Sequence, residues 1–255
     1  MAVPDTASER RAVLTEVYRD ARSCERCPHL AQTRTQVVFG AGSADADLMF
    51  VGEAPGADED RDGVPFVGRA GKLLTELLAG IGIDRDDVFI ANVLKCRPPD
   101  NRNPTAPEIA NCSEWLFRQL ELIQPVVVVT LGNFATRLLR DDQTSITRIH
   151  GQAEERVIGR RAVRLFPVLH PAAALYTPSN REVLAADFAL IPGLVALGPP
   201  PQPGGPAVDL DRPVAPEPDV ELAPEPAPAP EPEPVPVAAD AAPAPVPGDS
   251  QLGLF

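Results

Sequence analysis

Four cysteines form the clearest set of metal-ligating side chains in the chain. Cys24 and Cys27 make a C-x2-C pair, 68 residues separate this pair from Cys96, and 15 residues separate Cys96 from Cys112. One close pair with no other cysteine favours a four-thiolate site over four unrelated buried thiols. Zinc sites usually show two close pairs, whereas one close pair plus two dispersed cysteines suits an iron–sulfur cluster somewhat better. The spacing therefore allows either a zinc ion or an iron–sulfur cluster.

Carboxylates follow the apolar segment DLMFV, in and just after the turn GEAPG (52–56). Glu53 and Glu59 could position or deprotonate a water molecule there. An acidic loop that is merely solvated is an equally good interpretation. The nearby GRAGKL is not a phosphate-binding loop, because Leu73 stands where that motif requires Ser or Thr.

Three further side chains suggest recognition of a nucleobase. Asn92 interrupts the apolar run FIANVLKC, and a buried amide must find partners for its oxygen and its nitrogen, which a base edge can supply. Phe66 lies in the glycine-rich GVPFVG, where a stacking platform is more plausible than a core ring. His170 follows an apolar strand directly before Pro171. A lone histidine is more often structural than catalytic, but this position favours function.

Alternating strands and helices predict the elements that would position these residues. Apolar strand patterns occur at DLMFVG, DDVFIANVLKC, QPVVVVTLG and RAVRLFPVLH, and helical patterns occur between them and at both ends. The order favours a parallel sheet between two layers of helices, with its ligand site at the carboxyl ends of the strands. The turns 52–56, 92–97, 131–133 and 170–175 all follow predicted strands. We therefore expect them to converge on one crevice, bordered by basic residues: Arg61, Arg69, Lys72, Lys95, Arg97 and Arg102.

Composition divides the chain into a folded part and a tail. Residues 199–250 hold 18 of the 31 prolines and ten acidic residues against one basic residue, so they carry −9 of the net charge of −13. Such a tract buries too little apolar surface to fold, which predicts a domain over 1–198, a disordered linker over 199–250 and a separate terminal peptide over 251–255. No apolar run reaches the roughly 18 residues that span a bilayer, and the N-terminus lacks the apolar region of a secretory signal. We expect a cytoplasmic, nucleoid-associated protein without membrane contact.

The sequence resembles the iron–sulfur uracil-DNA glycosylases of the family 4 type, found in bacteria and archaea. The matching segments occur in the family's order across residues 24–195: CERCPHL, GEAPGADEDRDGVPFVGRAGKLL, NVLKCRPPDNRNPTAPEIANC, LGNFATRLL and HPAAAL. The resemblance implies a three-layer α/β/α fold around a four-stranded parallel sheet. It also implies a hydrolase that removes uracil from DNA, leaves an abasic site and starts base-excision repair.

The resemblance also implies a role for each candidate residue. Phe66 would stack on the flipped uracil, Asn92 would bind its polar edge, and His170 would stabilise charge on its O2 atom. Glu53 and Glu59 would serve catalysis, and the Ala54 backbone would approach the base. A [4Fe–4S] cluster would be held by Cys24, Cys27, Cys96 and Cys112. The loop 98–107 and the segment at Leu175 and Tyr176 would contact DNA, and the enzyme is expected to be a monomer.

The last five residues, QLGLF, resemble the peptide that binds the bacterial sliding clamp. Gln251, Leu252, Leu254 and Phe255 are the matching positions. Two rival functions remain at this point: a non-catalytic DNA-binding module recruited to the clamp, and an electron-transfer protein built on the cluster. The combination of Phe66, Asn92 and His170 argues against both, since neither needs a pocket that reads a base.

Overall fold

The computed structural model describes residues 6–203. Residues 204–250 of the predicted linker and the predicted clamp-binding peptide, 251–255, lie outside the described residues. Within 6–203, no helix is long and apolar enough to cross a membrane.

A mixed sheet forms the centre of the fold, with the strand order β1-β3-β2-β4-β6-β5. Strands β3, β2, β4 and β6 run parallel, while β1 and β5 are antiparallel to their neighbours at the two edges. The strands are β1 (Ala41–Gly42), β2 (Leu48–Gly52), β3 (Phe89–Asn92), β4 (Val127–Leu131), β5 (Glu154–Ile158) and β6 (Arg161–Val168). The predicted parallel strands are confirmed, and the two edge strands add to them.

Helices cover both faces of this sheet, which confirms the three-layer α/β/α class. They are α1 (Ala7–Arg22), α2 (Pro28–Thr33), α3 (Ala57–Asp62), α4 (Arg69–Gly80), α5 (Ala106–Ile123), α6 (Asn133–Arg140), α7 (Ile146–Ile149), α8 (Pro171–Tyr176), α9 (Pro178–Phe188) and α10 (Ile191–Ala196). Alternate strand residues face opposite layers. Met49 and Val128 pack in a cluster with α1 and α5, whereas Phe50 and Val127 pack in a cluster with α4 and α9. The valine run of β4 is thus buried on both faces, as its composition predicts.

Two predicted boundaries differ from the structure. The closing helix predicted over NREVLAADFALIPGLV is two helices, α9 and α10. Pro192 lies in the first turn of α10, the position in which the missing N–H of a proline leaves no gap in a helix. The folded part also extends past residue 198, because the side-chain amide of Gln202 bonds both the N–H and the carbonyl of Ala162.

Candidate active site and metal centre

The carboxyl ends of the parallel strands bring the predicted site residues together. Gly52 and Asn92 are register partners at the ends of β2 and β3. Leu131 and Val168 are partners at the ends of β4 and β6, and His170 follows two residues later. Because parallel strands end on the same edge, the turns after all four strands meet there. The predicted convergence of these turns matches the structure.

Gly52 allows two of the candidate side chains to approach each other. A Cβ atom at Gly52 would lie 2.4 Å from Asn92 Oδ1 and 2.6 Å from Phe66 Cζ. The Phe66 ring in turn lies 5.8 Å from the His170 ring, centroid to centroid, at an interplanar angle of 31°. Phe66, Asn92 and His170 therefore line one small region above the end of β2.

The side-chain oxygen of Asn92 is a buried acceptor. The residue is 2% exposed, and within residues 6–203 its Oδ1 atom has no hydrogen-bond partner. A buried acceptor without a donor costs about 1–3 kcal/mol. Such a group next to an aromatic ring is typical of a ligand site, where the ligand supplies the missing N–H or O–H.

His170 is held as a neutral donor. It caps helix α8, and its Nδ1 accepts a hydrogen bond from the N–H of Ala172 at 3.1 Å. The ring proton therefore resides on Nε2. Desolvation by the surrounding protein lowers the pKa of His170 to about 4, although the nearby Glu59 favours the charged form. At neutral pH the site thus offers an N–H donor without a full positive charge.

The acidic candidates have different surroundings. Glu53 lies in the turn after β2, is partly buried, and its carbonyl accepts from the N–H of Leu94 at 3.0 Å. Ala54 follows it and packs at the margin of the core. Glu59 accepts from three backbone N–H groups, those of Gly56, Val67 and Gly68, each at 3.0 Å. The catalytic roles of Glu53 and Glu59 stay predictions.

All four cysteines line one cavity. Cys24 and Cys27 lie between α1 and α2, Cys96 follows β3, and Cys112 lies in α5. Within the described residues, no three His, Cys, Asp or Glu side chains are close enough to hold a single metal ion. The four thiols thus share one cavity, although no three of them form a single-ion site.

The donors around these sulfurs suit thiolate ligands of a larger group. Arg34 Nη1 donates to Cys96 Sγ at 3.2 Å, the N–H of Lys95 donates to Cys112 Sγ at 3.2 Å, and Asn111 donates to Cys27 Sγ at 3.7 Å. Hydrogen bonds to ligand sulfurs are typical of iron–sulfur sites. Burial raises the pKa of Cys112 to about 12, so a metal that binds here must displace a proton. The donor set fits a cluster.

Lys95 is not part of the basic surface that the sequence predicts. It is 1% exposed, and its Nζ donates to the carbonyl of Asn92 at 2.8 Å and to Gln119 Oε1 at 2.6 Å. Burial lowers the pKa of Lys95 to about 7. In the sequence Lys95 stands close to Arg97 and so looks exposed, whereas the apolar residues directly before it, Val93 and Leu94, were the signal for burial.

A second polar network, centred on Glu108, was not predicted from the sequence. Glu108, 1% exposed, accepts from Arg102 at 2.6 and 2.9 Å and from the N–H of Thr105 at 2.7 Å. His29 lies 2.5 Å from the same carboxylate. The capping-box pattern T-x-x-E at residues 105–108 was the available signal. The network ties the segment after Cys27 to the loop that precedes α5.

Known proteins share this arrangement of motifs. Residues 39–189 match the uracil DNA glycosylase superfamily. The chain belongs to that superfamily. It is 48% identical over 182 residues to a type-4 uracil-DNA glycosylase of Archaeoglobus fulgidus, covering 70% of this chain and 91% of that protein. It is 45% identical over 182 residues to a type-4 uracil-DNA glycosylase of Thermotoga maritima, covering 70% and 93%. A type-5 uracil-DNA glycosylase of Pyrobaculum aerophilum is 34% identical over 180 residues, covering 59% and 78%. Within the superfamily, the chain belongs to the type-4 family.

Proposed function

We infer that this protein is a uracil-DNA glycosylase, an enzyme that hydrolyses the N-glycosidic bond of deoxyuridine in DNA. The product is an abasic site, and the reaction starts base-excision repair. The observation that carries this inference is the buried, unpartnered Asn92 Oδ1 beside the rings of Phe66 and His170. Membership of the type-4 family indicates that the substrate is uracil in DNA.

The base must leave the helix before these groups can reach it. An unstable U·G pair is the least costly to open, and the flipped uracil would stack on Phe66. Asn92 Oδ1 would accept the N3–H of uracil. Cytosine carries an acceptor at N3, so the same oxygen would repel it, and discrimination would follow from a single hydrogen bond.

His170 would act mainly in the transition state. As the bond between C1′ and N1 breaks, its electron pair moves into the uracil ring and negative charge grows on O2. The Nε2–H group of His170 would donate to that atom, and a donor at a site of developing charge lowers the barrier. A neutral imidazole can donate this hydrogen bond without binding the uncharged ground state as tightly as a charged imidazolium would.

Water completes the hydrolysis. Its oxygen would bond to C1′ of the oxocarbenium-like sugar, and its proton would pass to a base. Ala54 has no group that can take a proton, so we assign the water to the carboxylate of Glu53 in the same turn. The chemistry then balances, with the uracil anion leaving and the abasic sugar keeping the hydroxyl.

We propose that Cys24, Cys27, Cys96 and Cys112 hold a [4Fe–4S] cluster. One close cysteine pair with two dispersed cysteines around one cavity, and hydrogen-bond donors to three of the sulfurs, favour an iron–sulfur cluster over a single zinc ion. When bound, the group supplies covalent cross-links between the α1–α2 segment and the β3–α5 segment. Iron and acid-labile sulfide measured in anaerobically purified protein would test this assignment, with Cys112→Ser as the variant that should lose both.

We also propose that the terminal peptide, at Gln251, Leu252, Leu254 and Phe255, binds the sliding clamp. The 52-residue linker would reach roughly 40 Å as a flexible coil, which is enough to keep the domain near a clamp on DNA. A monomeric state and a cytoplasmic, nucleoid-associated location stay predictions that suit this role.

Incubation with a uracil-containing oligonucleotide tests the main proposal. Anaerobically purified wild-type protein should create alkali-labile sites, and His170→Ala should lose most of this activity. No cleavage by protein with a filled cluster would contradict the enzyme and favour the non-catalytic DNA-binding module.

A further inference from the structure

The backbone at Phe66 is strained. Its φ angle is +54°, in the left-handed region that residues other than glycine rarely adopt. A residue held there costs of order 1–3 kcal/mol and persists only where its surroundings enforce the conformation. Phe66 carries the ring that faces Gly52 and His170. Whatever enforces its backbone therefore also sets the position of the ring.

Glu59 is the group that enforces this conformation from one side. Its Oε1 accepts from the N–H groups of Val67 and Gly68, the two residues directly after Phe66. Its Oε2 accepts from the N–H of Gly56, at the start of α3. Hydrogen bonds from backbone N–H groups to a carboxylate are about twice as strong as neutral ones. A single side chain thus joins the turn after β2 to the loop that presents Phe66.

Helix α4 packs directly against the backbone of Phe66. A Cβ atom at Gly71 would lie 1.8 Å from the carbonyl oxygen of Phe66 and 2.1 Å from its carbonyl carbon. The helix backbone therefore abuts Phe66 directly. Phe66 lies between this contact and the hydrogen bonds of Glu59, which leaves its backbone little room to relax.

We propose that Glu59 is a positioning residue that acts through Phe66, rather than a group that activates water. This inference rests on the proposed function, in which Phe66 stacks on the flipped uracil. The carboxylate is committed to three main-chain donors, one in the turn after β2 and two directly after Phe66. Its loss would let Phe66 leave the left-handed conformation and would move the ring away from Gly52 and His170.

A double-mutant cycle separates the two roles. The variants are Glu59→Gln, Phe66→Ala and the two together, each measured for single-turnover excision and for KM on uracil-containing DNA. Gln has the shape of Glu but can offer only one acceptor oxygen to the three donors. In the wild-type background Glu59→Gln should slow excision by about tenfold, the equivalent of one lost charge-assisted hydrogen bond.

The same substitution should have little effect once the ring is absent. In the Phe66→Ala background, Glu59→Gln should change the rate by less than about twofold, because residues that act through one another are not additive. A full tenfold loss in that background would overturn the proposal. The pH dependence gives a second readout: a positioning role leaves the apparent pKa values of the rate profile unchanged, whereas loss of an acid limb in Glu59→Gln would show that Glu59 is the base.

Controls keep the result tied to this contact. Asp62→Asn removes an exposed carboxylate of the same helix, one that accepts hydrogen bonds from the neighbouring Arg61, and it should leave rate and KM unchanged. Cluster content and melting temperature verify folding of each variant. If Glu59→Gln does not fold, Glu59→Asp, which keeps the charge but is one methylene shorter, takes its place in the cycle with the same criteria. Absence of any excision by the wild type would instead contradict the proposed function itself.

Discussion

The tautomer of His170 is fixed by one local contact. The N–H of Ala172 occupies Nδ1, so the proton must lie on Nε2, the atom that can face a leaving base. Burial then keeps the ring uncharged at physiological pH. A histidine with its ordinary pKa would be partly charged between pH 6 and 7, and its donor strength would change across that range.

The lowered pKa of His170 predicts the pH dependence of excision. Because the folded pKa is about 4, the ring stays neutral as the pH falls through 6.5 and gains a proton only near pH 4. Single-turnover excision should therefore show no inflection near pH 6.5 that depends on His170. An inflection there in the wild type that disappears in His170→Asn would contradict the neutral-donor role.

Gly52 provides a test of how closely the side chains must approach. Gly52→Ala would place a methyl group against Asn92 Oδ1 and the Phe66 ring, and displacement of catalytic groups by about 1 Å can cost about 100-fold in rate. Excision should fall by that order, measured under single-turnover conditions. Gly80→Ala is the matched control, since a Cβ at Gly80 meets nothing within 4 Å. Equal rates for the two variants would show that the crevice tolerates a wider separation.

At the scale of elements, the loop before α5 is joined to the cysteine segment by Glu108. Arg102 and Thr105 lie in that loop, and His29 follows the C-x-x-C pair. Arg102 holds the pKa of the Glu108 carboxyl well below its usual range, so this carboxylate stays charged down to acidic pH. One buried residue thus links the cysteine segment to a loop that is predicted to contact DNA.

Glu108→Gln should weaken DNA binding more than chemistry. The substitution removes the charge that holds Arg102 and leaves buried donors poorly paired, at about 1–3 kcal/mol of folding stability. We expect a raised KM for uracil-containing DNA, with excision at saturating DNA within about threefold of the wild type. Glu76→Gln breaks an exposed pair with Arg181 and should change neither quantity. A loss confined to the saturating rate would place Glu108 in the chemistry instead.

At the scale of the whole molecule, charge is divided between the domain and the tail. The tract 199–250 carries −9, while the rest of the chain carries 26 acidic and 22 basic residues. Repulsion from phosphates should keep the acidic tract away from DNA, and the proposed peptide at its end would then act as a tether.

Removal of residues 251–255 should separate recruitment from catalysis. The truncated protein should lose binding to the sliding clamp, measured by surface plasmon resonance, and should excise uracil from short duplexes at the wild-type rate. Alanine at both Asp249 and Ser250, just before the peptide, is the control that should keep clamp binding. Equal clamp affinity with and without the five residues would rule out the peptide as the binding element.

The features that depend on a local pattern of residues could be predicted from the sequence. The four parallel strands, most helices and the crevice at the strand ends follow from apolar periodicity and from the polar turns after each strand. The order of the sequence motifs across residues 24–195 indicated the family. Strand β5 was missed because its first three residues, Glu154, Glu155 and Arg156, are consecutive charges that look like a surface loop until β6 pairs with the strand.

The contacts of each polar side chain, in contrast, depend on how the elements pack. Lys95 reads as a surface cation beside Arg97, yet Gln119, 24 residues later in the chain, receives its buried ammonium group. Glu59 reads as one of several loop carboxylates, yet its three donors lie in two segments, the turn after β2 and the loop directly after Phe66. Hydrogen bonds of this kind join residues from 3 to 24 positions apart and leave no periodic trace in the sequence. Their partners are set by how the strands and helices pack, and so they become visible only in the folded molecule.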